Sequence, residues 1–168
     1  MTIVSGELRV WFQTVAFVLI ALAAWRFGGG PERILAGILL WFRGADWVNH
    51  ALFHAAPTSL GFGHVLIDVL ALAVALAVAL QANRVYPLWF AAFQLLAVVA
   101  HLARSLAPDV APLAYAMMYT GPSYCQMLLL TGGIWLHHRR VRKFGPYRAW
   151  RSYSLRSPER LRGSSPNG

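Results

Sequence analysis

Histidines and aspartates recur at a spacing of four residues in two apolar segments of this sequence. The first segment holds Asp46, His50 and His54, and the second holds His64 and Asp68. Because residues four apart lie on one face of an α-helix, each set would present its side chains together. Helices that bring the two segments side by side would therefore gather imidazoles and carboxylates in one pocket.

Imidazole and carboxylate groups on neighbouring helices are the ligand types that hold zinc, iron or copper, and a metal-bound water would be activated for hydrolysis. Under this hypothesis His50, His54 and His64 are metal ligands. Asp68 is a ligand or a base, and His101, in a later apolar segment, is a ligand or supports one. The segment His-Ala-Leu-Phe-His lacks the glutamate that acts as base in zinc-protease helices. A b-type haem held by two of these histidines is equally compatible with the sequence.

The same histidines also have a structural interpretation. Histidines near the ends of membrane helices lie at the headgroup level or bond to a neighbouring backbone, and polar side chains join helices within a bundle. A third interpretation makes them part of a proton or ion pathway, because ionisable groups inside a membrane are rare and frequently functional. The sequence alone leaves all three open.

Arg43 and Asp46 fall near the middle of a predicted membrane helix, where a lone charge costs roughly 2.5 to 3.5 kcal/mol on insertion scales. Their spacing of three residues allows a mutual ion pair, although the order is the reverse of the one that best complements the helix dipole. We expect the two side chains to pair, either as a structural element or as part of a pathway or substrate pocket.

The composition identifies lipid as the natural solvent of this chain. Hydrophobic residues make up 58% of the 168 residues and charged residues 12%, against roughly 45 to 50% and about 25% in soluble domains. The apolar residues are grouped into stretches of about 20, the length of a helix that crosses a bilayer. The single cysteine, Cys125, excludes an intrachain disulfide.

These stretches predict an all-α fold, a polytopic membrane helical bundle of five transmembrane helices. The helices are expected over residues of about 8–27, 34–53, 62–82, 86–106 and 113–136. A cleaved signal peptide is the alternative for the first, and a re-entrant half-helix is the alternative for the last, which contains Gly121 and Pro122. Ala71, Ala75 and Ala79 form a row of small residues that would let a neighbouring helix approach closely.

The distribution of basic residues sets the expected orientation. Nine of the fifteen lie between Arg139 and Arg162, and the segment from 55 to 63 has none. With five crossings, the positive-inside rule puts the N-terminus outside and the C-terminus in the cytoplasm. The histidines and Asp68 then fall within roughly 10 Å of the external face, at a rise of 1.5 Å per residue.

Residues 137–168 form a basic tail that we expect to lie on anionic lipid headgroups of the cytoplasmic leaflet. The expected lipid-surface residues are Arg139, Arg140, Arg142, Lys143, Arg148, Trp150 and Arg151. Nucleic acid is a less direct partner, because these cations follow a membrane helix immediately. The Ser, Pro, Gly and Arg composition beyond residue 154 predicts disorder.

No sequence motif identifies a reaction, because the chain has no phosphate-binding loop, nucleophile elbow, dinucleotide fingerprint or intramembrane lysine. We expect a non-catalytic accessory or organising subunit of a membrane complex, which contacts other membrane proteins or further copies of itself. The alternatives are a metal- or haem-dependent membrane enzyme with an external site, and a small channel or transporter that uses Arg43 and Asp46. Arginine outnumbers lysine 14 to 1, which is typical of GC-rich bacteria and favours the bacterial inner membrane.

Overall fold

The computed structural model of the protein is all-helical over the residues it describes, which are 2–53, 57–106 and 112–151. Five helices follow one another in the order α1 Thr2–Phe27, α2 Gly30–Phe53, α3 Pro57–Gln81, α4 Tyr86–Leu106 and α5 Pro112–Phe144. The all-α class is therefore confirmed. His54 and the chain beyond Arg151, including the segment predicted to be disordered, lie outside the described residues.

Three of the helices are long and apolar enough to cross a membrane. They are Leu8–Phe27 in α1, Phe62–Gln81 in α3 and Tyr86–Ala103 in α4, with mean hydropathies of 1.7, 2.3 and 1.5. The chain is thus of the multi-pass membrane class. The helix α2 is less apolar because Arg43 and Asp46 stand within it, and α5 is less apolar because it runs into the basic residues near its end.

The helices pack as a ring. Each contacts the next along the chain, α1 also contacts α5, and α2 reaches α5 across the bundle. Ala71, Ala75 and Ala79 are buried, as their row of small side chains predicted. Small residues let helix backbones approach closely, which is what drives helix association where lipid supplies no hydrophobic effect. Leu39 and Phe90 are among the largest side chains of the core, and both are fully buried.

The helix α5 continues through Pro122 and ends at Phe144, eight residues beyond the predicted boundary at 136. It ends because Gly145 adopts a left-handed conformation, with φ of 78°, and its N–H donates to Val141 O at 2.9 Å. This is the common glycine cap of a helix C-terminus. The first residues of the predicted tail are therefore helical, since nothing in their sequence stops α5 before this glycine.

Residues 145–151, which we call the C-terminal strap, turn back under the bundle. Asn83 N–H donates to Ala149 O at 3.1 Å, and Arg151 N–H donates to Gln81 O at 2.8 Å. The strap thereby pairs with the connection between α3 and α4. The indole of Trp150 covers Gly30, where an added Cβ would lie 2.8 Å from its Nε1.

Candidate metal centre

Residues from all five helices line a cavity of about 310 Å³ inside the ring. Its polar lining consists of Arg9, Gln13, Arg43, Asp46, His50, His64, Asp68, Gln94, Thr120, Ser123 and Gln126. A volume of this order is within the range of small-ligand sites. Most of the ionisable side chains from the middle of the helices therefore line this cavity.

Asp46 joins two histidines from different helices at this cavity. Its Oδ1 lies 3.0 Å from His64 Nε2 and 3.5 Å from His50 Nε2. His50 reaches it because residues four apart share a face of α2, and His64 reaches it from the adjacent helix α3. One ligand atom from each of the three residues lies within 4.8 Å of the others.

These separations suit a single small cation. Zinc binds imidazole nitrogen and carboxylate oxygen at about 2.0 to 2.2 Å, so ligands around one tetrahedral ion are about 3.4 Å apart. The two distances from Asp46 Oδ1 lie on either side of this value. The rings of His50 and His64 meet edge to face, with centroids 5.3 Å apart.

Arg43 pairs with the other oxygen of the same carboxylate. Its Nη2 donates to Asp46 Oδ2 at 2.7 Å, so the predicted ion pair is present in the structure. The guanidinium therefore contacts Oδ2 of this carboxylate, and the two imidazoles contact Oδ1. Arg43 therefore orients Asp46 but also opposes a cation at the centre through charge repulsion.

Asn49 contacts the other ring nitrogen of His64. Its Nδ2 lies 3.3 Å from His64 Nδ1. When His64 Nε2 carries the proton it donates to Asp46, and Nδ1 accepts from Asn49. A metal on Nε2 would move the proton to Nδ1, and rotation of the Asn49 amide would present its oxygen as acceptor. Ligand histidines are oriented by partners of this kind. Gly63 makes room for Asn49, because a Cβ there would overlap the amide.

Asp68 forms a separate buried network with α4 and α5. Its Oδ2 lies 2.9 Å from His101 Nε2, and its Oδ1 accepts from Gln94 Nε2 at 3.0 Å. Gln94 Oε1 in turn accepts from Gln126 Nε2 at 2.8 Å. Gln94 and Gln126 are each 1% exposed, so these bonds satisfy polar groups that are buried in the bundle.

The structure therefore divides the predicted ligand set. His50 and His64 meet at Asp46, whereas Asp68 and His101 pair with each other one turn further along α3. Asp46 was predicted to share a helix face with His50 and His54 and to pair with Arg43, but it was not among the predicted ligands. Whether any of these residues binds a metal stays a prediction.

A second polar cluster lies at the other end of the bundle, where α1 joins α2. The buried carboxylate of Glu32 forms an ion pair with Arg84, accepts from Tyr86 OH at 2.8 Å and accepts from Gly29 N–H at 2.9 Å. Sequence analysis predicted no partner for Glu32 or Arg84. Their 52-residue separation left no local signal for the pair.

His137 links this cluster to the C-terminal strap. Its Nδ1 accepts from Arg84 Nη2 at 2.9 Å and also lies 2.9 Å from the hydroxyl oxygen of Tyr147. Burial, then the adjacent charges of Arg84 and His138, lower the pKa of His137 below its usual value. The surroundings of His137 therefore favour the neutral form of its imidazole.

The predicted lipid-surface residues are exposed, with the exception of Trp150, which is half-buried against Gly30. Arg139, Arg140, Arg142 and Lys143 lie on α5, and Arg140 also stacks on the Tyr147 ring. Arg148 and Arg151 are exposed on the strap. Contact of any of them with lipid stays a prediction.

Comparisons with protein-family models, with curated proteins and with solved structures find no match for this chain.

Proposed function

We propose that the chain crosses the bilayer five times, with its N-terminus outside and its C-terminal strap in the cytoplasm of a bacterial cell. Every helix carries large exposed apolar side chains, including the two of lower hydropathy. Examples from α1 to α5 are Leu19, Trp47, Leu80, Leu95 and Leu128, which are 60%, 71%, 62%, 51% and 75% exposed. Such a surface would aggregate in water, whereas lipid covers it without cost.

Single cysteines test this topology, with Cys125 first replaced by serine. A cysteine at Arg148, which is exposed on the strap, should react with an impermeant maleimide only in inverted inner-membrane vesicles, and one at Ser5 only in intact spheroplasts. Labelling of both from the same side would contradict five crossings.

Within this bundle the proposed function is to bind one divalent transition-metal ion through Asp46, His50 and His64. The observation that carries the proposal is the convergence of these three donors, from α2 and α3, on a cavity inside the ring. Two imidazoles and one carboxylate are a recurring ligand set for zinc. Asn49 adds the orienting partner that such histidines usually have.

A small ion fits this centre better than a haem does. Axial histidines of a haem lie on opposite faces of a porphyrin, which must pass between them. Here Asp46 Oδ1 contacts both His50 and His64, so the carboxylate occupies the space that the porphyrin would need.

The geometry also bears on what a bound ion would do. Three protein ligands leave a further coordination position, which distinguishes catalytic from structural zinc sites. The three ligands line the cavity, so the remaining coordination position would face it. Gln94, Gln126 and other polar side chains form the wall of this cavity. A metal-dependent reaction on a small polar substrate is the activity that this arrangement supports best.

A structural role is the second candidate, in which the protein is an accessory subunit without a metal. It is favoured by one observation: Asp46 already pairs with Arg43 and His64, and Asp68 already pairs with His101 and Gln94. Networks of this kind join helices in a bundle without further function.

Elemental analysis of the detergent-purified chain separates the two candidates. The wild type should retain close to one zinc or similar ion after dialysis against zinc-containing buffer and gel filtration. His64→Ala should lose it, whereas His138→Ala, which removes a histidine at the other end of the bundle, should keep it. Equal metal content in all three proteins, or none in any, would favour the accessory role.

A further inference from the structure

The cytoplasm-proximal end of α5 carries a cleft lined by aromatic and cationic side chains. Trp135, His138, Arg139, Arg142 and Lys143 surround a volume of about 380 Å³. Their spacing is i, i+3, i+4, i+7 and i+8, so one face of α5 presents all five. The extension of α5 beyond its predicted end creates this face, because an irregular tail would not align the side chains.

The position of the cleft matches the level of lipid headgroups. Trp135 is 59% exposed, and an indole at the end of an apolar span is a typical interfacial residue. Leu128 and Leu136 are exposed on the same helix just before the cations. At 1.5 Å per residue, Lys143 lies about 12 Å beyond Trp135 along α5. Acyl chains beside the leucines would therefore place their phosphates beside the cations.

Among the residues that the structure describes, no carboxylate neutralises the charges of the cleft. Nearby, Arg84 pairs with Glu32, Arg33 bonds to Trp25 O, and Arg140 stacks on Tyr147. By contrast, within the described part of the chain no carboxylate forms an ion pair with Arg139, Arg142 or Lys143. Arg139 is instead positioned by the Trp135 ring, with Cζ 5.5 Å from the centroid.

We infer that this cleft binds the phosphate of an anionic phospholipid headgroup from the adjoining leaflet. Arginine matches phosphate geometry with paired N–H donors, and lysine adds a point charge. The exposed leucines below the cleft favour a lipid over a water-soluble phosphate, because only a lipid would also cover them. The inference does not depend on the metal centre, which is built on α2 and α3.

Calorimetric titration of the delipidated, detergent-purified full chain tests the inference. The probes are short-chain phosphatidylglycerol, short-chain phosphatidylcholine and glycerol 3-phosphate. The test variant is Arg142→Gln with Lys143→Gln. The matched control is Arg148→Gln with Arg151→Gln, which removes two exposed cations from the strap and none from the cleft.

Phosphatidylglycerol should bind the wild type and the control with similar Kd, and the test variant about 25-fold more weakly, at roughly fivefold per surface cation. Phosphatidylcholine and glycerol 3-phosphate should bind the wild type at least tenfold more weakly than phosphatidylglycerol. Equal loss in both variants would indicate diffuse attraction without a cleft and overturn the inference. Equal binding of the two lipids, or of glycerol 3-phosphate and phosphatidylglycerol, would also overturn it, and neither comparison needs a variant.

Discussion

His64 on α3 and Asp46 on α2 approach each other to 3.0 Å, from Nε2 to Oδ1. This contact joins two helices through groups that are costly to place in a membrane unless they are paired. It also leaves His50, one turn further along α2, 3.5 Å from the same oxygen. One carboxylate oxygen therefore gathers two imidazoles, which is the basis of the proposed metal centre.

Arg43→Gln is expected to tighten zinc binding several-fold, because the guanidinium on Asp46 Oδ2 repels a second cation at the centre. Competition titration with a chromophoric zinc chelator measures the change. Arg9→Gln is the control, since Arg9 lines the same cavity but forms no ion pair with Asp46 in the described structure. Weaker or unchanged binding in Arg43→Gln would contradict the prediction that repulsion by Arg43 outweighs its orienting effect on Asp46.

Gly63→Ala should weaken both the fold and the metal centre. The added Cβ would overlap the Asn49 amide, so α2 and α3 must separate or Asn49 must leave His64. We expect a loss of about 1 to 3 kcal/mol in the free energy of unfolding, typical of overpacking, together with weaker zinc binding.

Gly37→Ala is the matched control for this change, because a Cβ there meets open space on α2. Alanine should stabilise the helix by roughly 0.5 to 1 kcal/mol. Unfolding in mixed detergent compares the two variants. A Gly63→Ala protein as stable as Gly37→Ala would contradict the close contact between Gly63 and Asn49.

Gln126→Leu should destabilise the bundle by about 1 to 2 kcal/mol, because Gln94 Oε1 and Phe90 O lose a buried donor. Thermal unfolding in detergent measures the effect. Thr131→Val serves for comparison, since Thr131 bonds only to Met127 O within its own helix in the described contacts. Equal melting temperatures for the two variants would show that the buried glutamine network adds nothing to stability.

The strap should loosen on acidification through His137. Its folded-state pKa is lowered, so the unfolded chain takes up a proton more readily at this position. The contribution of His137 to the free energy of unfolding is complete above its ordinary pKa of about 6.5 and decreases as the pH drops below that value. The cause is also geometric, because a proton on Nδ1 would remove the acceptor of the bond from Arg84 Nη2.

Hydrogen exchange of the strap backbone at pH 7.5 and at pH 5.5 measures this loosening. Protection of residues 149–151 should fall at the lower pH in the wild type and much less in His137→Gln. His138→Gln should keep most of the pH dependence, because burial and Arg84 lower the pKa of His137 more than His138 does. Protection that is independent of pH in the wild type would contradict the role of His137.

Much of the fold was accessible from sequence because membrane helices are encoded locally, by length and hydropathy. The row of Ala71, Ala75 and Ala79 correctly predicted a buried helix face. The end of α5 was predicted too early, because the basic residues after 136 suggested a tail. The stop signal was Gly145, which is followed by proline and permits the left-handed cap.

The site was predictable only in part, since spacing reveals a shared helix face but not which helices meet. The pairing of Arg43 with Asp46 followed from their i, i+3 relation. The association of His64 with Asp46, and of Gln126 with Gln94, depends on how α2 and α3 or α4 and α5 rotate against each other. Nothing local to those residues encodes that rotation.

The most direct test of the metal centre is zinc X-ray absorption on the purified chain loaded with one equivalent of zinc. The proposal predicts nitrogen and oxygen neighbours at about 2.0 to 2.2 Å with the outer-shell scattering of two imidazoles. In His50→Ala the imidazole contribution should fall by half. Zinc surrounded by oxygen alone, or an imidazole signal unchanged in His50→Ala, would contradict a centre built from Asp46, His50 and His64.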